Sequence, residues 1–319
     1  MRVFITARLP EEVLARIALE HSVEVHSEDI PIDRQKLLAG VEGKDGLLCT
    51  ITDRIDLEVL ERAPDLKIIA NNGIGFDKID IEAATRKAIP VTNTPGANAD
   101  AVADLAFALI LATARRLVEG DRMTRGAEFN FHFLGWDVSG KTLGIVGFGS
   151  IGKAVARRAA GFDMKVTYFN SPRLERSEED RLGVTFATLD QLLKDSDFVS
   201  LHVPLLPETH HLIGERELRM MKSSACLINT ARGPIVDESS LVEALKMGRI
   251  RAAGLDVYEN EPLLSPGLAE LDNVVLLPHF GSATVETRTR MANMAADNLL
   301  AGLRGERPPN CLNWKTPAP

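Results

Sequence analysis

Cysteine is scarce in this chain of 319 residues. Cys49, Cys226 and Cys311 stand far apart, and none forms a C-x-x-C pair. A disulfide framework and a thiolate zinc site are thereby excluded, no metal is expected, and the composition suits a reducing cytoplasm. An excess of positive charge is also missing: 37 Lys and Arg stand against 45 Asp and Glu, a formal net charge of −8. Nucleic acid and anionic membrane are excluded as the main partner, because both are bound through a basic field. An anionic small molecule is not excluded, since it answers to the local charge of a cleft. No apolar run reaches the ~18 residues of a membrane span, and the most apolar helical stretch, 101–112, carries Asp104. The opening Met1-Arg2-Val3-Phe4-Ile5-Thr6 lacks the long apolar core of a secretion signal and reads as a first strand. Internal repeats and low-complexity tracts are absent.

What is present is a regular alternation. Short runs rich in Val, Ile and Leu predict strands at Val3–Thr6, Val23–Val25, Gly46–Cys49, Lys67–Ala70, Pro90–Thr92 and Lys141–Val146. More follow at Lys165–Phe169, Phe198–His202, Cys226–Asn229, Gly254–Val257 and Val274–Leu277. Nearly continuous apolar strands separated by helical patterns imply parallel sheets buried on both faces. With 45% hydrophobic residues and about 150 residues per domain as the prior, two domains are expected. The polar break Asn93-Thr94-Pro95-Gly96-Ala97-Asn98 precedes a long helical pattern over 99–117, and a second long helix is expected over 283–303. The fold class is therefore α/β, with two Rossmann-like, doubly wound parallel-sheet domains. Residues 1–98 and 287–319 are expected to form a flavodoxin-like domain, and residues 99–286 a dinucleotide-binding domain inserted within it.

Gly144-Ile145-Val146-Gly147-Phe148-Gly149-Ser150-Ile151-Gly152 lies where one strand ends and a helical Ala/Arg pattern over 153–161 begins. In Gly147-x-Gly149-x-x-Gly152 the first glycine allows a tight turn, the second lets backbone approach a pyrophosphate, and the third lets helix and strand pack closely. The phosphates then meet free N–H groups at the positive end of a helix dipole. Farther on, three strands end in polar segments: Asn229-Thr230-Ala231-Arg232-Gly233, then Gly254 through Asp256 to Glu261-Pro262, then Leu277-Pro278-His279-Phe280-Gly281-Ser282-Ala283-Thr284. Strand carboxyl ends line the ligand crevice of an open α/β sheet, so an Arg, a carboxylate and a His come to one side of one sheet.

Together with Gly73-Ile74-Gly75-Phe76-Asp77-x-x-Asp80, these segments stand in the order and approximate spacing of the D-isomer-specific 2-hydroxyacid dehydrogenases. The chain resembles that family over nearly its whole length. The resemblance implies a catalytic group of Arg232, Glu261 and His279. Reduction of a 2-oxo acid needs a cation to hold the carboxylate and polarise the ketone, and a guanidinium fork suits both. It also needs a proton donor; an imidazole titrates near ~6.5, and a neighbouring carboxylate favours its charged form. Glu261 takes that place beside His279, although Glu259 lies only two residues away. Asp256 matches the acidic residue near the nicotinamide. The resemblance extends cofactor binding to Gly147, Gly149, Ser150, Ile151, Gly152, Val203, Pro204, Thr230, Ala231 and Gly281. It gives substrate binding to Asn72, Gly73, Ile74 and Gly75, whose two glycines allow close approach and unusual φ, together with Arg232 and His279. Asp77 and Asp80 brace that loop and cap the next helix. His202, His210 and His211 read as structural or surface residues.

At the end of the second strand of the glycine domain the sequence reads Tyr168-Phe169-Asn170-Ser171-Pro172-Arg173. The carboxylate that would grip an NAD ribose is absent. Asn170 and Ser171 can donate hydrogen bonds and Arg173 supplies charge, so NADP(H) is favoured over NAD(H). Among relatives the pattern resembles glyoxylate/hydroxypyruvate reductases. The chain stops soon after its last long helix, so no amino-acid-sensing module is expected. A 2-ketogluconate or 3-phosphoglycerate type of dehydrogenase is an alternative, as is a dinucleotide-sensing scaffold like the corepressors of this fold. Formate dehydrogenase carries Gln where Glu261 stands. Side-chain pocket contacts are expected around Ile51, Thr52 and Asn72. The stretch Phe129-Asn130-Phe131-His132-Phe133-Leu134-Gly135-Trp136 reads either as a core strand or, by the resemblance, as part of a homodimer contact.

Overall fold

The computed structural model describes residues 1–28 and 30–314. The chain divides into two compact units, Met1–Asn98 with Ala283–Pro319, and Ala99–Ser282.

In the first unit, strands β1 (Arg2–Ile5), β2 (Ser22–Val25), β3 (Gly46–Thr50), β4 (Ile68–Asn72) and β5 (Val91–Thr92) alternate with helices α1 (Glu11–Ala18), α2 (Arg34–Val41), α3 (Leu57–Arg62) and α4 (Ile81–Arg86). All strands are parallel, in the order β2-β1-β3-β4-β5, the flavodoxin-like winding. β3 and β4 are buried along almost their whole length, because helices cover both faces. Aspartates at the turns start three of the helices: Asp33, Asp56 and Asp80 each accept a backbone N–H from the first turn.

The second unit opens with α5 (Ala99–Arg115) and α6 (Leu117–Arg125). Next come β6 (Thr142–Val146), α7 (Ser150–Ala160), β7 (Lys165–Phe169), α8 (Arg176–Leu182), β8 (Val184–Phe186), α9 (Leu189–Asp195) and β9 (Phe198–Leu201). It continues through α10 (Glu215–Met220), β10 (Cys226–Asn229), α11 (Glu238–Lys246), β11 (Ala252–Leu255) and β12 (Val274–Leu276). The seven parallel strands run β12-β11-β10-β9-β6-β7-β8. The order reverses between β6 and β9, so the glycine loop after β6 leaves the sheet at its switch point, where such sheets bind ligands. Two apolar layers sandwich the sheet. One holds Phe107, Phe148 and Tyr168, and the other Leu192, Leu227 and Leu241. The chain closes with α12 (Val285–Leu303), which belongs to the first unit and packs Ala292, Ala295 and Leu299 into its core.

The structure corrects several sequence expectations. The helix over 99–117 is two helices, because Arg116 turns left-handed at φ 53. Helix α7 starts at Ser150 rather than Lys153, and α12 at Val285, with Thr284 as its cap. β8 went unseen: it has three residues behind a left-handed Gly183, too few to show alternation. β11 lies two residues earlier than Gly254–Val257, since its register is set by pairing with β10. Residues 129–136 form no strand. Phe129 and Phe131 are 84% and 97% exposed, while Arg116 covers Phe133 at 4.1 Å. Among the described residues, no helix is long and apolar enough to cross a membrane.

Candidate active site

Parallel pairing aligns the ends of three strands in the second unit. Asn229 of β10 pairs with Leu255 of β11, which pairs with Leu276 of β12. Arg232, Asp256 and His279 therefore leave the same edge of one sheet, on strands spaced about 4.8 Å apart. Backbone packing draws two of the connecting segments together. Gly233 lies so close to the carbonyl of Tyr258 and the nitrogen of Glu259 that a Cβ would overlap them. The Tyr258 hydroxyl then donates to the Leu277 carbonyl at 2.7 Å, tying the second segment to the third.

His279 Nδ1 lies 2.9 Å from Glu261 Oε2, with both side chains a little over a quarter exposed. The other oxygen, Oε1, accepts the Tyr258 N–H at 3.1 Å, so the carboxylate is aimed rather than free to swing. Glu259, the rival partner by sequence, is turned away and meets His211 Nε2 at 2.8 Å. His279 itself has φ 54, a left-handed backbone uncommon outside glycine and worth of order 1 kcal/mol in strain. Asp256 holds it there: its buried carboxylate accepts the N–H groups of Phe280 at 3.0 Å and Gly281 at 2.9 Å. Burial raises the pKa of Asp256, and these two N–H groups work against that rise. Thus the structure has Asp256 shaping the histidine loop, and Gly281 serves that bond. Asn229, which sequence reasoning left without a role, shapes the arginine turn. It accepts the Ala231 N–H at 3.0 Å and donates to the Arg232 carbonyl at 2.9 Å. Thr230 is buried beside it.

The glycine loop fits a dinucleotide. Gly147 has φ +92, and a Cβ there would lie 2.6 Å from the backbone of His202 and Val203. A Cβ on Gly152 would overlap the Gly147 carbonyl, whereas one on Gly149 would meet nothing within 4 Å. Turn, close packing and open approach thus fall on Gly147, Gly152 and Gly149, as a pyrophosphate-binding turn requires. Gly149 caps α7 without a side chain, so the N–H groups of Ser150, Ile151 and Gly152 begin the helix facing that open space. Val203 and Pro204 continue from the backbone packed on Gly147. His202, on the same segment, bonds Ser200, and burial drops its pKa to about 3.

Beyond β7 the expected groups are present but engaged. Asn170 accepts the Phe148 N–H at 2.9 Å and donates to the Pro172 carbonyl at 2.8 Å, so it secures the glycine turn. Ser171 is exposed. Arg173 grips buried Glu179 with two bonds of 2.7 Å and lies over the Phe186 ring at 4.9 Å. Glu179 also accepts the hydroxyl of Tyr168 at 2.7 Å; Arg173 first and Tyr168 second hold its pKa at about 2. No sequence motif marked Glu179, because a Glu on a short charged helix reads as solvated.

In the first unit, β4 ends at Asn72 and the loop 73–75 follows it. Asn71 donates to the carbonyls of Gly73 at 3.3 Å and Gly75 at 2.8 Å, and Asn93 donates to that of Ile74 at 2.9 Å. Three successive carbonyls of the loop are thus engaged by side-chain amides. Gly73 is needed for space, since a Cβ would overlap Ile51, and not for an unusual φ. Asp80 caps α4 through Ala83 at 2.8 Å.

Comparison with known proteins shows what the chain is similar to. The description "D-isomer specific 2-hydroxyacid dehydrogenase, NAD binding domain" matches residues 107–281. A glyoxylate reductase of Thermococcus litoralis is 50% identical, covering 98% of this chain and 96% of its own. A crystal structure of a Thermus thermophilus protein superposes with TM-score 0.91 at 47% identity, covering 98% of this chain and 100% of its own. An NADPH-dependent glyoxylate/hydroxypyruvate reductase from Sinorhizobium meliloti, in complex with NADP and malonate, superposes with TM-score 0.85 at 30% identity, covering 98% and 96%. With a site of this kind, two parallel-sheet units and relatives matched end to end, the chain belongs to the D-isomer-specific 2-hydroxyacid dehydrogenase family.

Proposed function

We propose that this protein reduces a small 2-oxo acid of the glyoxylate or hydroxypyruvate type to the D-2-hydroxy acid. The observation that carries this reading is the 2.9 Å pairing of His279 with Glu261 at the sheet edge that also delivers Arg232. Arg232 holds the substrate carboxylate and polarises the ketone, as a permanently charged fork does. The N–H groups of Gly73, Ile74 and Gly75, beside Asn72, are its further anchor. The glycine loop, together with Val203, Pro204, Thr230 and Ala231, would hold a reduced nicotinamide, which would supply the hydride taken up by the carbonyl carbon. Glu261 accepts from His279 Nδ1 and leaves Nε2 to give its proton to the carbonyl oxygen as the C=O double bond becomes C–O–H. In the oxidation direction the same nitrogen takes the proton back.

The test is turnover of a panel of 2-oxo acids, with glyoxylate and hydroxypyruvate ahead of 2-ketogluconate and phenylpyruvate. His279→Ala should lower kcat by the roughly 10²–10⁴-fold of a lost general acid while leaving cofactor affinity nearly unchanged. Absence of turnover on every acid would overturn the reading.

NADP(H) is the proposed cofactor, in preference to NAD(H). Supporting it are the absence of a carboxylate where β7 ends and a guanidinium held beside that end by Glu179 and Phe186. A relative solved with NADP adds to this. A homodimer is proposed through the exposed Phe129, Phe131 and Leu134, an apolar patch of the kind that marks interfaces.

A further inference from the structure

Glu238, the first residue of α11, is 3% exposed. One of its carboxylate oxygens accepts the N–H of Glu259 at 3.2 Å, and the other accepts the N–H of Ser265 at 3.0 Å. Glu259 answers in kind. Its Oε2 accepts the N–H of Glu238 at 3.2 Å, and its Oε1 meets His211 at 2.8 Å. Two carboxylates thus clasp each other's backbone, and the clasp spans the loop 259–265 that bears Glu261. Inside that loop, Leu263 N–H donates to the Asn260 carbonyl at 2.9 Å. The helix start favours an anion at Glu238. Burial makes its acceptors costly to leave unfilled, so the distance between α11 and the loop is closely defined. Arg232 and Glu238 lie on one short stretch joined by Gly233, so that stretch sets the place of both the guanidinium and the Glu261 loop.

We propose that Glu238, through its clasp with Glu259, is a positioning residue for the proton relay: it holds the Glu261 carboxylate against His279 Nδ1. This rests on the reading that His279 and Glu261 perform the proton transfer. Without the clasp, the loop 259–265 loses its ties to the start of α11, and Glu261 shifts with it. A misplacement of about 1 Å at a catalytic contact costs up to ~10²-fold in rate.

Glu238→Gln and Glu259→Gln in the full chain test this with glyoxylate and both reduced cofactors. Glu259 is only partly buried, so its variant carries the test should Glu238→Gln fail to fold. Both are expected to lower kcat by about ten- to a hundredfold, with cofactor affinity within about twofold. In both, the alkaline fall in kcat/KM should move to lower pH, as in Glu261→Gln. Adding either change to Glu261→Gln should cost little more, since the same interaction is already lost. Parallel NMR of the His279 ring, without substrate, should show the Nδ1–H signal shifted or lost in both variants. Unmoved pH profiles and an unmoved ring signal, with losses that add to those of Glu261→Gln, would overturn the inference. Such a result would leave the enzymatic reading intact if His279→Ala remains inactive. Wild-type protein inert on every acid would overturn that reading and the relay role with it, while the ring signal would still report whether the clasp sets the pair.

Discussion

Alanine at two glycines of the same loop should do opposite things. At Gly147 the backbone has φ +92 and a new methyl would sit 2.6 Å from the backbone of His202 and Val203. Ordinary carbon contact is about 3.5 Å, so β6 and β9 would have to part by about 0.9 Å where their loops cross. Left-handed strain costs about 1–2 kcal/mol and overpacking about 1–3 kcal/mol, giving roughly 2–5 kcal/mol together. In a unit of roughly 180 residues that is a fall in Tm of about 4–20 °C. At Gly149 the methyl would meet nothing within 4 Å, and Gly→Ala at an unstrained site stabilises by about 0.4–1 kcal/mol through the unfolded chain. The Tm should therefore hold or rise slightly. Yet that methyl projects into the space a pyrophosphate must enter, and cofactor Kd should rise at least about tenfold. Scanning calorimetry and fluorescence titration with NADPH separate the two effects. If Gly149→Ala bound NADPH within about twofold of wild type, or lost as much stability as Gly147→Ala, the dinucleotide assignment of this loop would be wrong.

Arg173→Ala should lower kcat/KM for NADPH by roughly 10–100-fold, the worth of one or two charged hydrogen bonds, and leave NADH nearly unaffected; a wild-type preference for NADH would remove the basis for the cofactor choice. The Glu179 carboxylate, held at about 2 against an ordinary 4.5, stabilises the fold fully above pH 4.5, and this contribution fades as pH falls toward 2. The stability gap between wild type and Glu179→Gln, read by urea unfolding, should therefore narrow over that interval; a gap that stays constant would refute the pairing. Phe131→Asp should halve the mass measured by light scattering, and a wild-type monomer would refute the dimer.

Periodicity and spacing made the parallel strands, the glycine turn and the polar strand ends legible, because each depends on residues near one another in sequence. Strand ends slipped by a residue or two, and β8 was lost, because pairing with neighbours decides where a short strand stops. For the aromatic stretch 129–136 a core strand stayed open beside a dimer contact, because alternation of Phe says nothing about what covers it; no strand forms there. The resemblance named Glu261 rather than Glu259 as the partner of His279, but residue chemistry alone could not: the two carboxylates are alike, and the turn after Tyr258 aims one at the imidazole and the other at His211. The same holds for Asn229, Glu238 and Asn71, whose work is to hold backbone groups in place. Sequence alone determined which chemical groups this protein brings to a strand edge. Tertiary structure decided which of them touch, because hydrogen bonds between segments far apart in the chain set distances that no local pattern encodes.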